Sequence, residues 1–153
     1  MSMKPYYTGE KLIELEAVLE SWIGTPHRHG CGVKRAGCDC GNFICRVLEE
    51  TGFATHLRMP HYEADWFRHT KEERLLNWMR DTLPHEDLEK PEDGALMLFS
   101  FGRLVSHAAF FMKNNLYHSI GRAGVTKSWF PGCPWSRRNR IAAIFRLVKE
   151  DAS

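Results

Sequence analysis

The sequence predicts a single α+β domain in which N-terminal helices pack on a C-terminal antiparallel β-sheet. Apolar residues before position 90 recur at helical spacing, whereas those after Gly94 form short β-branched and aromatic runs separated by turn residues. The 153 residues are 43% hydrophobic and 26% charged, which is typical of one compact domain. No repeat, low-complexity segment or shift in composition divides them, so we treat residues 1–153 as one domain.

Two helices are predicted in the first third of the chain. The first spans residues 9–22, with Thr8 as its N-cap, and ends before Gly24. The second begins near Asp39 or Cys40 and ends at Gly52, so Cys40 lies in its first turn. Residues 27–37, between the two helices, predict a surface loop. The apolar positions with helical spacing are Leu12, Leu15, Leu19, Trp22, Phe43, Ile44, Val47 and Leu48.

The remainder of the chain predicts one or two further helices and then strands. The charged segment Glu63–Leu83 carries the helical pattern, and Pro84–Gly94 predicts a connection between the two halves. Gly102 and either Asn114 or Asn115 supply turns between strands. Ser128–Arg140 predicts an ordered loop. The predicted strands lie near Ala95–Phe101, Val105–Met112, Leu116–Ile120 and Ile141–Val148.

The charge balance and the apolar pattern exclude several classes of function. The net charge is +2, which is too close to zero to predict a nucleic-acid or membrane-surface partner. No apolar run is long enough to span a membrane, and the first twelve residues lack the apolar stretch of a secretory signal. We therefore expect synthesis in the cytoplasm without export by the general route.

The five cysteines include one that is well placed for catalysis. In a reducing compartment they favour thiol chemistry or metal binding over a disulfide framework. A helix N-terminus stabilises negative charge, so we expect the pKa of the Cys40 thiol to be lowered. The N–H groups around Asp39 and Gly41 would also be available to an oxyanion. A small packed residue is the alternative for Cys40. Four cysteines have no assigned role: Cys31, Cys38, Cys45 and Cys133.

A zinc site is the metal alternative for this segment. His27 and His29 together with Cys31, Cys38, Cys40 and Cys45 include pairs at ligand spacing. The chain has no CxxC pair, however, and the CDC run at positions 38–40 is too tight for an ordinary zinc knuckle. We therefore favour a catalytic thiol with no metal and no cofactor.

Two histidines on neighbouring predicted strands are candidate bases for Cys40. We place His107 on the same face as Val105, Ala109 and Phe111, where an imidazole needs a partner. A turn at Lys113 and Asn114 would set His118 opposite Ala109, within side-chain reach of His107. A turn at Asn114 and Asn115 has the better type I′ chemistry, but it would keep the two histidines apart.

The order of these motifs resembles the NlpC family of cell-wall peptidases. WIGTPHRHGCGVKRAGCDCGNFICRVLEETG is similar to the family's W-x-G-T-P-Y stretch followed by D-C-S or D-C-x-G on a helix. GALMLFSFGRLVSHAAFFMKNNLYHSIGRAGV is similar to its G-D-L-x-F-F, S-H-V-G-I-Y and F-I-H-A sequence. The resemblance covers most of the chain and is weakest between Phe53 and Glu92.

The resemblance implies a papain-like fold and a Cys-His-His triad. Cys40 would attack an amide carbonyl, His107 would take and return the proton, and His118 would orient the His107 ring. The family's usual target is the γ-D-glutamyl to diaminopimelate bond of peptidoglycan stem peptides. Two positions depart from the family: His27 replaces a tyrosine near the active site, and Gly41 replaces a common serine.

Further details resemble the phage-tail and gene-transfer-agent branch of the family. These are the CDC run, the Gly-Val after the last histidine and the basic run after Trp135. The resemblance therefore implies phage-tail proteins as partners and delivery to the cell wall on a virion tail. The alternative to a peptidase is a non-catalytic module, either stabilised by zinc or used in tail assembly.

Overall fold

The structure, a computed structural model, describes residues 2–60 and 73–150. Within these residues it contains three α-helices: α1, Gly9–Trp22; α2, Cys40–Glu50; and α3, Arg74–Thr82. Its strands are β1, Met3–Pro5; β2, Gly32–Val33; β3, Gly37–Cys38; β4, His85–Asp87; β5, Leu96–Phe101; β6, Leu104–Met112; β7, Asn115–Ile120; β8, Gly124–Trp129; and β9, Ile141–Glu150. The predicted combination of N-terminal helices and a C-terminal antiparallel sheet is confirmed.

The main sheet has the strand order β1-β9-β5-β6-β7-β8, and β4 also pairs with β9. Its pairs are antiparallel, and β2 with β3 forms a separate two-stranded hairpin. The centre of the sheet is the β5–β6 hairpin. Neighbouring β7 carries His118, so both candidate histidines lie on adjacent strands.

The helices cover one face of this sheet. The apolar side of α2 is fully buried because it packs between the sheet and α1. Phe43 connects the layers, with its ring edge-to-face against Trp22 of α1 at 5.8 Å and against Phe110 of β6 at 6.4 Å. Burial of large aromatic and aliphatic side chains supplies most of the stabilisation of this layer. The position of α2, and so of Cys40, is fixed by this core.

A second apolar cluster lies on the opposite face of the sheet. Phe130 and Trp135, from two short 3-10 turns at Phe130–Gly132 and Pro134–Ser136, pack over it. The buried members of this cluster are Ala95, Met97, Phe99, Ala109, Phe111, Leu116 and Ile144. The predicted ordered loop at Ser128–Arg140 is therefore the cover of the second face, although it begins within β8.

Several elements differ from the sequence-based expectation. The predicted connection Pro84–Gly94 contains β4, which adds to the edge of the sheet beside β9. The strands β1 and β8 and the hairpin of β2 and β3 were also missed. The helical prediction for Glu63–Leu83 is confirmed at Arg74–Thr82, and its first part lies outside the described residues. No helix among residues 2–60 and 73–150 is long and apolar enough to cross a membrane.

A bulge corrects the predicted face of β6. The pairing of β5 with β6 slips between Phe99↔His107 and Ser100↔Val105, so one extra residue enters β6. Val105 consequently packs in the apolar core between the helices and the sheet, whereas Ala109 and Phe111 face the second cluster. The expectation that Val105 shares the face of His107 is therefore wrong, since strict alternation does not continue through a bulge.

Candidate active site

The first turn of α2 is held by Asp39, which is 4% exposed. Its Oδ1 accepts hydrogen bonds from the Asn42 backbone N–H at 2.8 Å and from Asn42 Nδ2 at 3.0 Å. Its Oδ2 accepts one from the Gly30 N–H at 2.7 Å. The side chain is therefore both the N-cap of α2 and the anchor of the preceding loop. This fixes the residue that follows it, Cys40.

Cys40 is buried where β6 and β7 separate. The ladder between these strands ends at Phe110↔Tyr117, so the backbone of β6 below this point is not paired to β7. The Cys40 thiol uses this segment: its Sγ donates to the Ser106 carbonyl oxygen at 3.8 Å and receives stabilisation from the Ala108 N–H. The separation of two strands thus brings the thiol beside the backbone on both sides of His107.

The expected lowering of the Cys40 pKa is wrong. Burial, with a smaller contribution from the Asp39 carboxylate, raises the pKa of this thiol to about 12. The N–H groups of Ala108, Gly41 and Cys40 itself favour the thiolate, but they do not offset the loss of hydration. A cysteine at a helix N-terminus gains little when it is also removed from water and lies next to an acidic N-cap. In the resting site the thiol is protonated.

The two candidate histidines are in direct contact. His107 Nε2 and His118 Nδ1 lie 2.8 Å apart and form a buried hydrogen bond. The β6–β7 turn is at Lys113 and Asn114, both with positive φ, which gives the pairing Met112↔Asn115. The predicted register that allows the histidines to meet is confirmed, and the alternative turn at Asn114 and Asn115 is wrong.

Both imidazoles are neutral because they are buried. Burial lowers the pKa of His118 to about 4. Burial, together with the nearby His118 and His27 rings, holds the pKa of His107 well below its usual range. Trp135 covers the His107 ring face-on, with centroids 4.6 Å apart and an angle of 22° between planes, and Phe99 lies 6.0 Å away. A neutral His107 can accept a proton.

His27 is held in one orientation by Ser119. The Ser119 hydroxyl donates to the Cys38 carbonyl oxygen at 2.8 Å, so its oxygen is left to accept from His27 Nδ1 at 2.9 Å. The Nε2 atom of His27 therefore carries the lone pair. Burial lowers the pKa of His27, and its ring is close enough to influence His107. The fold therefore brings His27 close to the candidate base His107, although the two residues are far apart in the sequence.

A cleft of about 240 Å³ opens beside the first turn of α2. Its wall includes Met59, whose Cε would lie 2.9 Å from a Cβ built on Gly41. Glycine at position 41 therefore leaves room for the Met59 side chain against the first turn of α2. The residues lining the cleft are His29, Gly30, Asp39, Asn42, Arg58, Met59 and Pro60. Cys40 itself does not line this cleft, but its neighbour Asp39 does, so the cleft lies beside the start of the helix that carries the thiol.

In the part of the chain that the structure describes, the remaining cysteines and histidines are not assembled into a metal site. Among residues 2–60 and 73–150, no three His, Cys, Asp or Glu side chains form a group that could hold a metal ion. Cys31 is exposed, Cys38 and Cys45 are buried, and Cys133 lies in the cover of the second face. His61 and His69 lie outside the described residues.

Three residues beside the candidate site were missed by the sequence analysis. Ser119 orients His27, Trp135 covers His107, and the Ser128 hydroxyl lies 3.0 Å from His118 Nε2. Ser119 and Ser128 carry no recognisable motif, and β8 was not predicted. An aromatic residue within a proline-containing loop was the one available signal, and it pointed only to an ordered loop.

Comparisons with known proteins agree with this fold. The probable endopeptidase NlpC of Escherichia coli (strain K12) is 27% identical over 120 residues, which are 78% of this chain and 68% of that protein. No family model matches the chain. The sequence similarity extends across most of the described domain.

Solved structures share the same architecture. An NLP/P60-family lipoprotein-like protein from Staphylococcus aureus has a TM-score of 0.62 at 18% identity, over 98% of this chain and 45% of that one. RipB, a peptidoglycan hydrolase of Mycobacterium tuberculosis, has a TM-score of 0.59 at 14% identity, over 92% of this chain and 66% of that one. The NlpC/p60 domain of the peptidoglycan hydrolase SagA has a TM-score of 0.57 at 14% identity, over 88% of this chain and 97% of that one.

This chain spans about half the length of some of these relatives and nearly all of the isolated SagA domain. The likeness therefore concerns one domain of proteins that are often larger. The chain has the papain-like fold of the NlpC/P60 proteins, and it is similar in sequence to the probable endopeptidase NlpC.

Proposed function

We propose that this chain is a cysteine hydrolase that cleaves peptide bonds in peptidoglycan stem peptides. The single observation that carries the proposal is the buried hydrogen bond between His107 and His118. His107 lies on β6, the strand whose backbone also contacts the Cys40 thiol. Similarity to an endopeptidase and to the folds of two peptidoglycan hydrolases supports the choice of substrate. The γ-D-glutamyl to diaminopimelate bond is the specific target that we propose.

The chemistry begins with a neutral thiol and a neutral imidazole. His118 occupies Nε2 of His107, so Nδ1 is the nitrogen left to accept the Cys40 proton. As the proton leaves, Sγ bonds to the carbonyl carbon, and the carbonyl oxygen gains the negative charge. The N–H groups of the first turn of α2, including that of Gly41, are the proposed donors to this oxyanion.

The intermediate collapses when the C–N bond breaks and His107 returns its proton to the leaving amine. The product is a thioester on Cys40. His107 then removes a proton from water, and the hydroxide attacks the thioester carbon. The C–S bond breaks, His107 returns its proton to Cys40 Sγ, and the acid product leaves and ionises to the carboxylate in solvent. His118 keeps the His107 ring in place through both steps and does not itself exchange protons with the substrate.

The test is cleavage of a defined muropeptide. The wild-type chain and Cys40→Ala are incubated with diaminopimelate-containing muropeptides, and the products are identified by mass spectrometry. Cys133→Ala is the matched control, since this thiol lies in the cover of the second face. We expect cleavage by wild type and Cys133→Ala only. Equal cleavage by Cys40→Ala would exclude Cys40 as the nucleophile, and no cleavage by any of the three would favour a structural module.

We also propose that the domain acts on a phage tail. The support is the resemblance of the CDC run and of the segments after His118 and Trp135 to that branch of the family. Particles purified from the source strain would contain the chain at a fixed ratio to the other tail proteins, measured by quantitative mass spectrometry. Its absence from such particles would contradict the proposal.

A further inference from the structure

A chain of hydrogen bonds extends the histidine pair to a third side chain. His118 Nδ1 meets His107 Nε2 at 2.8 Å, and His118 Nε2 meets the Ser128 hydroxyl at 3.0 Å. Ser128 comes from β8, two residues beyond Thr126, the direct partner of His118 in the sheet. His118 is 0% exposed, so both of its ring nitrogens depend on protein partners.

Each neutral imidazole carries one N–H, so the direction of one hydrogen bond sets the direction of the other. If His107 Nε2–H donates to His118, then the His118 proton is on Nε2 and is donated to Ser128. His107 Nδ1 then has a free lone pair. In the reverse direction Ser128 donates to His118, His118 donates to His107, and the His107 proton is on Nδ1. A protonated Nδ1 cannot accept the proton of a thiol.

We propose that Ser128 is a positioning residue that selects the base-competent tautomer of His107 by accepting a hydrogen bond from His118 Nε2. The inference rests on the proposed function, because it assigns to His107 the role of general base. Ser128 does not contact the reacting atoms, and it acts through His118. Ser128 is half-buried, so its hydroxyl hydrogen can be donated to solvent while its oxygen accepts from His118 Nε2.

Removal of the hydroxyl would reverse the preference. In Ser128→Ala the competent tautomer leaves the His118 Nε2–H buried with no acceptor. The other tautomer leaves only an unfilled lone pair, which is the smaller penalty because orphaned buried N–H groups are the rarer defect. We therefore expect Ser128→Ala to shift His107 toward the form protonated on Nδ1. Ser128→Thr retains the hydroxyl, and its branched side chain suits a strand.

The experiment reads the tautomer directly. Nitrogen-15 NMR of uniformly labelled protein distinguishes Nδ1–H from Nε2–H in each buried histidine. We expect His107 protonated on Nε2 in wild type and Ser128→Thr, and protonated mainly on Nδ1 in Ser128→Ala. Thr126→Val is the matched control, since it removes a hydroxyl from the same strand and leaves Ser128 in place. Unchanged histidine tautomers in Ser128→Ala would overturn the proposal.

Muropeptide cleavage gives the second readout. We expect kcat of Ser128→Ala to fall roughly 10-fold to 100-fold with KM nearly unchanged, and Ser128→Thr to recover most of the rate. A loss confined to KM would contradict a role in positioning the base. The NMR result does not depend on turnover, so a tautomer shift in a chain that cleaves nothing would support Ser128 while rejecting the proposed activity.

Discussion

Trp135 stacks on the imidazole of His107, with ring centroids 4.6 Å apart and planes inclined by 22°. Two further residues contact the indole. The Arg140 guanidinium lies 5.9 Å from the Trp135 ring centroid, and the Phe99 ring centroid lies 5.4 Å from it. The loop that covers the second face of the sheet therefore also seals one side of the candidate base. Water exclusion at His107 depends on this loop.

Trp135→Ala is expected to raise the pKa of His107 toward its ordinary value. Burial is the main cause of the low pKa, and the substitution admits water to the exposed ring face. A histidine with an unperturbed pKa of about 6.5 is roughly 90% protonated at pH 5.5. We therefore expect kcat/KM to fall roughly tenfold from pH 7.5 to pH 5.5 in Trp135→Ala and much less in wild type. Trp135→Phe keeps a stacked ring and is the control; parallel profiles for all three proteins would contradict this explanation.

The buried histidines also make folding dependent on pH. Burial lowers the pKa of His118 to about 4 in the folded chain, so between pH 6.5 and pH 4 the unfolded chain binds more protons than the folded one. The stability that a neutral, buried His118 contributes is therefore fully present above pH 6.5 and is lost as the pH falls toward 4. For His118 alone the loss is on the order of 3 kcal/mol.

Urea unfolding at pH 7, 5.5 and 4.5 measures this dependence. His118→Asn removes the titrating group, and we expect it to flatten the decline in unfolding free energy over the same pH range. His107 contributes in the same direction, because burial lowers its pKa too. If unfolding free energy depends on pH equally in His118→Asn and wild type, the acid sensitivity originates elsewhere in the chain.

The sequence allowed the prediction of both helices around the site, the histidine pair and the nucleophile candidate, but not the reason for the hairpin register. Asn114 and Asn115 have the better turn chemistry, yet the turn is one residue earlier. Lys113 is held there by long-range contacts: its N–H donates to Asp93 at 2.8 Å, and its Nζ donates to Glu16 at 2.9 Å. Local turn preference could not reveal these partners.

The protonation state of Cys40 was unpredictable for a similar reason. A helix start is visible in the sequence, and it lowers a thiol pKa when the thiol is in contact with water. The burial that reverses this effect arises where the first turn of α2 packs against the β6 backbone at Ser106 and Ala108. Hydrogen bonds to Ser119 and Ser128 likewise depend on strands that pair across the fold, and serine has no pattern that marks such a role.

Gly124 is expected to be essential for packing the start of β8 against the loop before the site. Its φ is +69°, and a Cβ at this position would overlap the Thr25 carbonyl oxygen. Gly102 has a similar φ of +73° with open space around it, so an alanine there introduces the backbone strain without the steric overlap. Gly102→Ala is therefore the control for Gly124→Ala. We expect Gly102→Ala to cost about 1 kcal/mol and Gly124→Ala about 3 kcal/mol or more in urea unfolding. Equal losses would show that the approach to Thr25 relaxes without cost.

Asp39→Asn is expected to change stability and thiol reactivity in opposite directions. The asparagine oxygen can still cap α2, but its NH₂ would replace Oδ2 opposite the Gly30 N–H and leave that donor unpaired. We expect a loss of about 1–3 kcal/mol in unfolding free energy. The negative charge of Asp39 raises the pKa of Cys40, so its removal lowers that pKa and increases the thiolate fraction at any alkaline pH.

Alkylation with iodoacetamide at pH 8.5, followed by peptide mass spectrometry, measures the reactivity of each cysteine. The exposed Cys31 provides an internal reference within the same chain. In wild type we expect Cys31 to react well before Cys40, because burial holds the pKa of Cys40 near 12. In Asp39→Asn the rate at Cys40 should rise relative to Cys31. Faster labelling of Cys40 than of Cys31 in wild type at pH 7 would instead indicate a thiolate paired with a charged His107, and the mechanism would then begin from an ion pair.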